Sequence, residues 1–229
     1  MRYIKKILKF IFSNIDIKIF ERIIPFPIHK KNFVSKNSKI FKKKIEIWPN
    51  IVETIGSNNE IVFVEFGVWK GKSIKYFSDK FTNKSSVFFG LDSFEGLLES
   101  WGRLPKGYFD TDGKVPDLND ERVKFIKGIF QNTSEILLKN LELHKKKLLL
   151  VHFDADLYSS TLYCLSQLDR LSRNYHVFFD EFTGEESRAL YDYMKSHRAK
   201  FKIISQANRI DYDGYPDKMF GEIIHRNHS

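Results

Sequence analysis

Acidic residues recur in this chain at one kind of place, directly after a short apolar run. Glu65 closes Ile61-Val62-Phe63-Val64, and Asp92 closes the run 86–91. Asp154 and Asp156 follow Leu148-Leu149-Leu150-Val151-His152-Phe153, and Asp180 with Glu181 follows Val177-Phe178-Phe179. Beside the first acid lies Gly67-Val68-Trp69-Lys70-Gly71-Lys72-Ser73, where two glycines let the backbone approach a ligand and lead into a helix whose first N–H groups are unpaired. Carboxylates gathered in one place repel one another and need a reason to coexist. Glu65 and Asp92 suit the hydroxyl or amino groups of a cofactor. Asp154, Asp180 and Glu181 offer the hard oxygen donors that Mg²⁺ prefers. The plainer alternatives are an ordinary strand-to-helix turn and a set of solvated strand-end acids or helix N-caps. His152 shares a strand side with Asp154 and reads as a core histidine.

These acids can meet only if the runs that carry them are parallel strands lying side by side. The spacing supports that arrangement. Residues 72–81 put Ile74, Phe77 and Phe81 on one helical face, residues 133–142 read as a further helix, and Leu162, Leu165, Leu168 and Leu171 mark another. A third strand at 123–126 leads to Gly128 and Gln131, and a helix over 185–197 precedes two strands, 201–205 and 218–225, that read as a closing antiparallel hairpin. Strands alternating with helices predict an α/β fold with a mostly parallel sheet covered on both faces. Ligands in such sheets bind outside the carboxyl ends of the strands. The long polar connection 95–120, with Trp101 and Tyr108, reads as a lid holding one helix, and its Asp110 and Asp112 as turn residues.

The 229 residues suffice for one such domain and an appendage. The net charge of +9 is unevenly spread: residues 1–44 hold 13 Lys/Arg against two acids, while the remainder holds 25 against 27. A basic arm on a near-neutral domain argues against a nucleic-acid-binding face. In the arm, Ile4, Ile7, Leu8, Ile11 and Ile15 recur at helical spacing with Lys5, Lys6 and Lys9 between them. Residues 1–24 therefore suit an anionic membrane surface, as a peripheral contact, or the packing of a helix on the domain or across a homo-oligomer. The longest uncharged run there, residues 10–15, is far short of the roughly 20 needed to span a bilayer. Lys9 interrupts any signal-peptide core, so a cytoplasmic location, with contact at the inner membrane face, is expected. The single Cys164 excludes a disulfide framework and reads as a small core residue.

Three blocks carry a resemblance: Val64-Glu65-Phe66-Gly67-Val68-Trp69-Lys70-Gly71-Lys72-Ser73, Gly90-Leu91-Asp92-Ser93-Phe94-Glu95-Gly96-Leu97, and Asp154-Ala155-Asp156-Leu157-Tyr158-Ser159-Ser160-Thr161. In that order they resemble the signature of the macrocin O-methyltransferase (TylF) family, class I S-adenosylmethionine-dependent enzymes that methylate sugar hydroxyls. The likeness spans most of residues 60–185 and does not reach the basic arm. It implies a Rossmann-like domain over 45–229 with a seven-stranded sheet. It puts Glu65, Phe66, Gly67, Trp69, Gly71 and Ser73 around the methionine part of S-adenosylmethionine, Asp92 and Ser93 at the ribose, and Gln131 near the adenine. It makes Asp154, Asp180 and Glu181 the Mg²⁺ ligands; since an alcohol must lose its proton to be methylated, Asp154, with Asp156 in reserve, is expected also to serve proton transfer. The family often has Asp-Asp where this chain has Asp180-Glu181. A glycan or other small-molecule acceptor follows: a surface polysaccharide, a nucleotide-linked sugar or a glycosylated metabolite. Two rivals stay open: a nicotinamide-dependent oxidoreductase, disfavoured because the turn lacks G-x-G-x-x-G, and a non-catalytic adaptor on a methyltransferase fold.

Overall fold

Eight strands form one mixed sheet in the order β1-β7-β8-β6-β5-β2-β3-β4 in a computed structural model that describes residues 33, 35, 37–182, 184–208 and 216–225. In chain order the elements are β1 (Lys39–Phe41), α1 (Ile47–Ile55), β2 (Ile61–Phe66), α2 (Lys72–Lys80), β3 (Val87–Asp92), β4 (Val123–Lys127), α3 (Phe130–Leu143), β5 (Leu148–Phe153), α4 (Tyr158–Asp169), β6 (Tyr175–Phe179), α5 (Glu185–Ser196), β7 (Lys200–Asn208) and β8 (Pro216–Ile224). All neighbours pair in parallel except β8, which runs antiparallel to both β6 and β7.

β2 is buried along its whole length and on both sides, which is why it reads as an apolar run rather than an alternating one. Val62 and Val64 point to one face, where α3, α4 and α5 bring Leu141, Cys164, Leu165 and Leu190. Ile61 and Phe63 point to the other, covered by Ile47, Ile51 and Ile55 of α1 and by Ile74 and Phe77 of α2. A helix on each face is what a parallel sheet requires to bury both sides.

Three features differ from the sequence expectation. The sheet has eight strands and not seven, because Lys39–Phe41, inside the expected arm, adds in parallel to the edge of β7. The helix α1 is additional to the expected elements, and its Pro49 sits in the first turn, where the missing N–H costs no bond. Residues 95–120 hold no helix; the segment is folded by turns and by two isolated bridges, Glu95 with Asp110 and Trp101 with Leu104. Six glycine or proline residues in that stretch give it turn chemistry instead of a helical period. The amphipathic pattern over residues 1–24, with its membrane and oligomer readings, lies outside the described residues. No helix among the described residues is long and apolar enough to cross a membrane.

The order of strands reverses between β2 and β5, so the crevice at their carboxyl ends is a topological switch point. The tips stay joined beyond the paired positions: Gly67 donates to Leu91 at 3.0 Å, Asp154 to Phe66 at 2.9 Å, and Asp180 to Phe153 at 2.9 Å. Gly67 has φ +88°, and a Cβ built on it would stand 1.9 Å from the Asp154 carbonyl oxygen. Only glycine allows this approach. Gly67→Ala should therefore lower stability by about 3 kcal/mol or more, read as a fall in the denaturant midpoint.

Candidate active site

The crevice contains a cavity of about 310 Å³ at the carboxyl edge of the sheet. Its floor brings together Gly67 and Trp69 from the turn after β2, Asp92 and Ser93 after β3, Asp154 and Asp156 after β5, and Asp180 and Glu181 after β6. Leu97, Leu98, Trp101 and Phe109 of the 95–120 segment close one side. Trp69 meets Phe109 edge to face at 5.5 Å, and Lys70 lies 4.5 Å from the Trp69 ring centroid.

Five residues expected at the cofactor do not line this cavity. Glu65 is fully buried below it, and Ser73 donates its hydroxyl to the Glu65 carboxylate. Phe66 alternates to the opposite face, where it stacks on Phe153 at 5.2 Å and meets Phe130 at 5.3 Å. Gly71 takes φ +74° at the start of α2 and packs near Pro116. Gln131 is exposed in the first turn of α3, while its neighbours Gly128, Ile129 and Phe130 line the cavity instead. The backbone path into α3, which single-residue reading overlooks, thus supplies that wall.

Asp92 shapes the turn as well as lining the cavity. Its Oδ2 accepts the N–H groups of Val68 and Trp69, each at 2.8 Å, and its Oδ1 accepts that of Phe94 at 2.7 Å. These bonds hold Trp69 at φ +49° and Phe94 at φ +59°, conformations that side-chain-bearing residues enter rarely.

From Asp180 in the floor a row of polar groups crosses the sheet on the side facing α2. Ser73, Glu65, His152, Asp180 and Lys218 follow one another. His152 Nδ1 lies 2.7 Å from Glu65 Oε1, its opposite number in the β2–β5 register. His152 Nε2 approaches Asp180 Oδ1 at 3.8 Å, an ion-pair contact too long for a hydrogen bond. Lys218 closes the row with its ammonium on Asp180 Oδ1 and a 3.0 Å bond to the Asp180 carbonyl oxygen. The ring of His152 stacks on Phe178 at 4.7 Å and sits near Phe63 and Phe77. Burial alone would lower the imidazole pKa, but the two flanking carboxylates outweigh it and raise it to about 10. His152 is thus a core histidine in position and an imidazolium in charge. For Asp180 burial pushes upward, and His152 with Lys218 more than reverses it, holding the carboxyl well below the usual range.

The other acids are less compensated. Burial, and then the charge of Asp180, push Asp154 well above the ordinary carboxylate range. Asp156 is raised to about 7, by burial first and then by Glu181, Asp180 and Asp92, with Lys218 pulling the other way. Glu186, absent from the sequence reading, is fully buried and accepts from Ala155 N–H at 3.4 Å and from Glu181 N–H at 3.1 Å, tying together the two acidic loops. Burial and then Asp154 and Asp156 raise it well above the usual value. The only hint in sequence was Glu185-Glu186 opening a helix, where acids are favoured by the dipole anyway.

The donor set for Mg²⁺ has the right chemistry but not the geometry. Among the described residues no three His, Cys, Asp or Glu side chains come together as a group that could hold a metal ion. The expected set of Asp154, Asp180 and Glu181 is not assembled, because Asp180 is engaged by Lys218 and faces His152 on its other side.

Asp92→Asn tests the shaping role. An amide offers one acceptor oxygen in place of two, so at least one of the three N–H groups loses its partner. Stability should fall by about 2 kcal/mol, measured by chemical denaturation; an unchanged midpoint would contradict the role.

Residues 110–216 match the family described as Macrocin-O-methyltransferase (TylF). The match includes the Asp154–Thr161 block and lies beyond the glycine turn and the Asp92 block. The fold is similar to that of the O-methyltransferase NovP, with 20% identity over 80% of this chain and 79% of that one and a TM-score of 0.54. An O-methyltransferase from Bacillus cereus in complex with SAH aligns over 78% of this chain and 79% of its own, at 12% identity and a TM-score of 0.48. No curated relative matches the chain. The family match over residues 110–216, on a fold similar to that of an O-methyltransferase, supports reading the chain as an S-adenosylmethionine-dependent O-methyltransferase.

Proposed function

We propose that the protein transfers the methyl group of S-adenosylmethionine to a hydroxyl of a sugar, with Asp156 as the general base. The observation that carries this reading is Asp156 itself: a carboxylate lining the cavity, raised to about 7, in a site whose other walls are a glycine turn and aromatic side chains. Methyl transfer from a sulfonium is an in-line displacement, and an alcohol is a poor nucleophile until its proton is taken. A base is most effective when its pKa lies near the working pH, because it is then both available and basic enough. Asp154 and Asp180, beside it, accept hydrogen bonds from further hydroxyls of a polyol and so orient it.

Three considerations favour a sugar as the acceptor. The matching family is described by its action on macrocin. The cavity rim is aromatic, and Trp69, Trp101 and Phe109 offer flat apolar faces of the kind that pack against the C–H side of a sugar ring. The floor is acidic, and acids pair with hydroxyl donors. Glu65 and Ser73, buried below, hold the turn that the cofactor's methionine end would meet. Magnesium has no part in this reading, since Asp180 is already in contact with Lys218.

The deprotonated form of Asp156 is the active one. Turnover should therefore rise about tenfold per pH unit at acid pH and level off above about 7. Asp156→Asn should lower turnover by roughly 10²–10⁴ and abolish that limb, because an amide cannot take the proton. Asparagine tolerates the φ of +57° at this position, so the backbone should be kept. Formation of S-adenosylhomocysteine with a panel of nucleotide sugars, oligosaccharides and catechols reads both effects. A pH-independent rate in the wild type would contradict the role of Asp156, and methylation of catechols with none of the sugars would overturn the acceptor class.

A further inference from the structure

We infer that Lys218 supplies at Asp180 the positive charge that a divalent cation would otherwise supply, so that the acidic floor of this chain works without a resident metal. The inference rests on the methyltransferase reading and goes beyond it, naming a positioning residue that acts on the acceptor through Asp180.

The pairing is built into the sheet. β6 and β8 run antiparallel with Phe178 opposite Phe220 and Phe179 opposite Met219. One further step along the same register sets Asp180 opposite Lys218, the cross-strand position where opposite charges attract most directly. Lys218 is 8% exposed, and its ammonium is committed twice, to the Asp180 carboxylate and at 3.0 Å to the Asp180 carbonyl oxygen. From the other side His152 Nε2 stands 3.8 Å from the same Oδ1. A magnesium ion binding that oxygen at about 2.0–2.1 Å would have to share it with the ammonium and displace a buried side chain to do so. The Lys218 ammonium already flanks the carboxylate, and a cation placed there would be repelled by it.

The consequence reaches the cavity because Asp180 lines it and Lys218 does not. With its charge balanced from behind, Asp180 stays in place with an oxygen available to an acceptor hydroxyl. Glu181, the adjacent expected ligand, has its backbone N–H on Glu186 at 3.1 Å, which sets that loop independently of any ion.

The test is Mn²⁺ binding to the full-length protein by electron paramagnetic resonance, alongside methyl transfer with and without EDTA, in the wild type, Lys218→Met, Lys218→Arg and Lys218→Met/Asp180→Asn. The wild type should show no saturable Mn²⁺ site up to about 1 mM and no sensitivity to chelator. Lys218→Met should lose at least tenfold in turnover or gain a Mn²⁺ site that Asp180→Asn removes, and Lys218→Arg should keep turnover and stay free of Mn²⁺. A wild-type Mn²⁺ site that Asp180→Asn destroys, or chelator loss that Mg²⁺ restores, would overturn the inference. So would Lys218→Met turning over like the wild type without metal. Mn²⁺ binding decides the matter even if Lys218→Met does not fold, because the wild-type and Lys218→Arg measurements stand alone. It also decides it if no sugar is methylated, so failure of the acceptor reading is told apart from failure of this one.

Discussion

The row Glu65–His152–Asp180–Lys218 is the constraint on which the rest of this molecule depends. Four ionisable groups, brought by β2, β5, β6 and β8, cross the sheet beneath the site in alternating sign. Removing charges from water is expensive, and a buried pair holds only if each member keeps its partner. The fold meets that demand by register. Glu65 lies opposite His152, and Asp180 falls one step beyond Phe179–Met219, opposite Lys218. A slip of one residue in any of these pairings would send a charge to the wrong face of the sheet. The aromatic side chains Phe63, Phe77 and Phe178 exclude water around the imidazole, which makes the alternation of charge stronger as well as compulsory.

Above that row the same strands deliver a different kind of carboxylate. Asp154, Asp156 and Glu186 sit among like charges with little to offset them and are pushed upward. On the proposed reading the contrast within one site separates roles: Asp180, beside Lys218, would stay charged and orient the acceptor, whereas Asp156, crowded by acids, would take a proton near neutrality. Two carboxylates with environments that drive their pKa values apart are the usual way a site assigns such roles. The approach of Gly67 to the Asp154 carbonyl brings the glycine turn against this acidic floor.

Much of this was legible in the amino-acid order. The strands, the glycine turn and the acids at the strand tips follow from local composition and period, and eight of those residues, from Gly67 to Glu181, do line one cavity. What local reading could not reach were partners far apart in the chain. Lys218 is separated from Asp180 by a helix and a whole strand, and nothing near it in sequence marks it as different from the other lysines. Glu186 looked like a helix-opening acid. The contact at the expected metal set was out of reach for the same reason: spacing put Asp154, Asp180 and Glu181 at neighbouring tips, but only the antiparallel return of β8 shows Lys218 in contact with Asp180. The strand Lys39–Phe41 was missed because three residues carry too little pattern, and the 95–120 segment was given a helix that its glycines and prolines do not allow.

The charge of the His152 imidazole tests the central claim most directly. Its ring nitrogens can be followed by ¹⁵N magnetic resonance in the full-length protein, assigned with His152→Gln. The account predicts an imidazolium, with protons on both nitrogens, that persists from neutral pH up to about 9 and titrates near 10. A neutral ring with a single N–H at pH of about 8 would contradict it, for the row would then carry an unbalanced carboxylate and could not hold Asp180 as described.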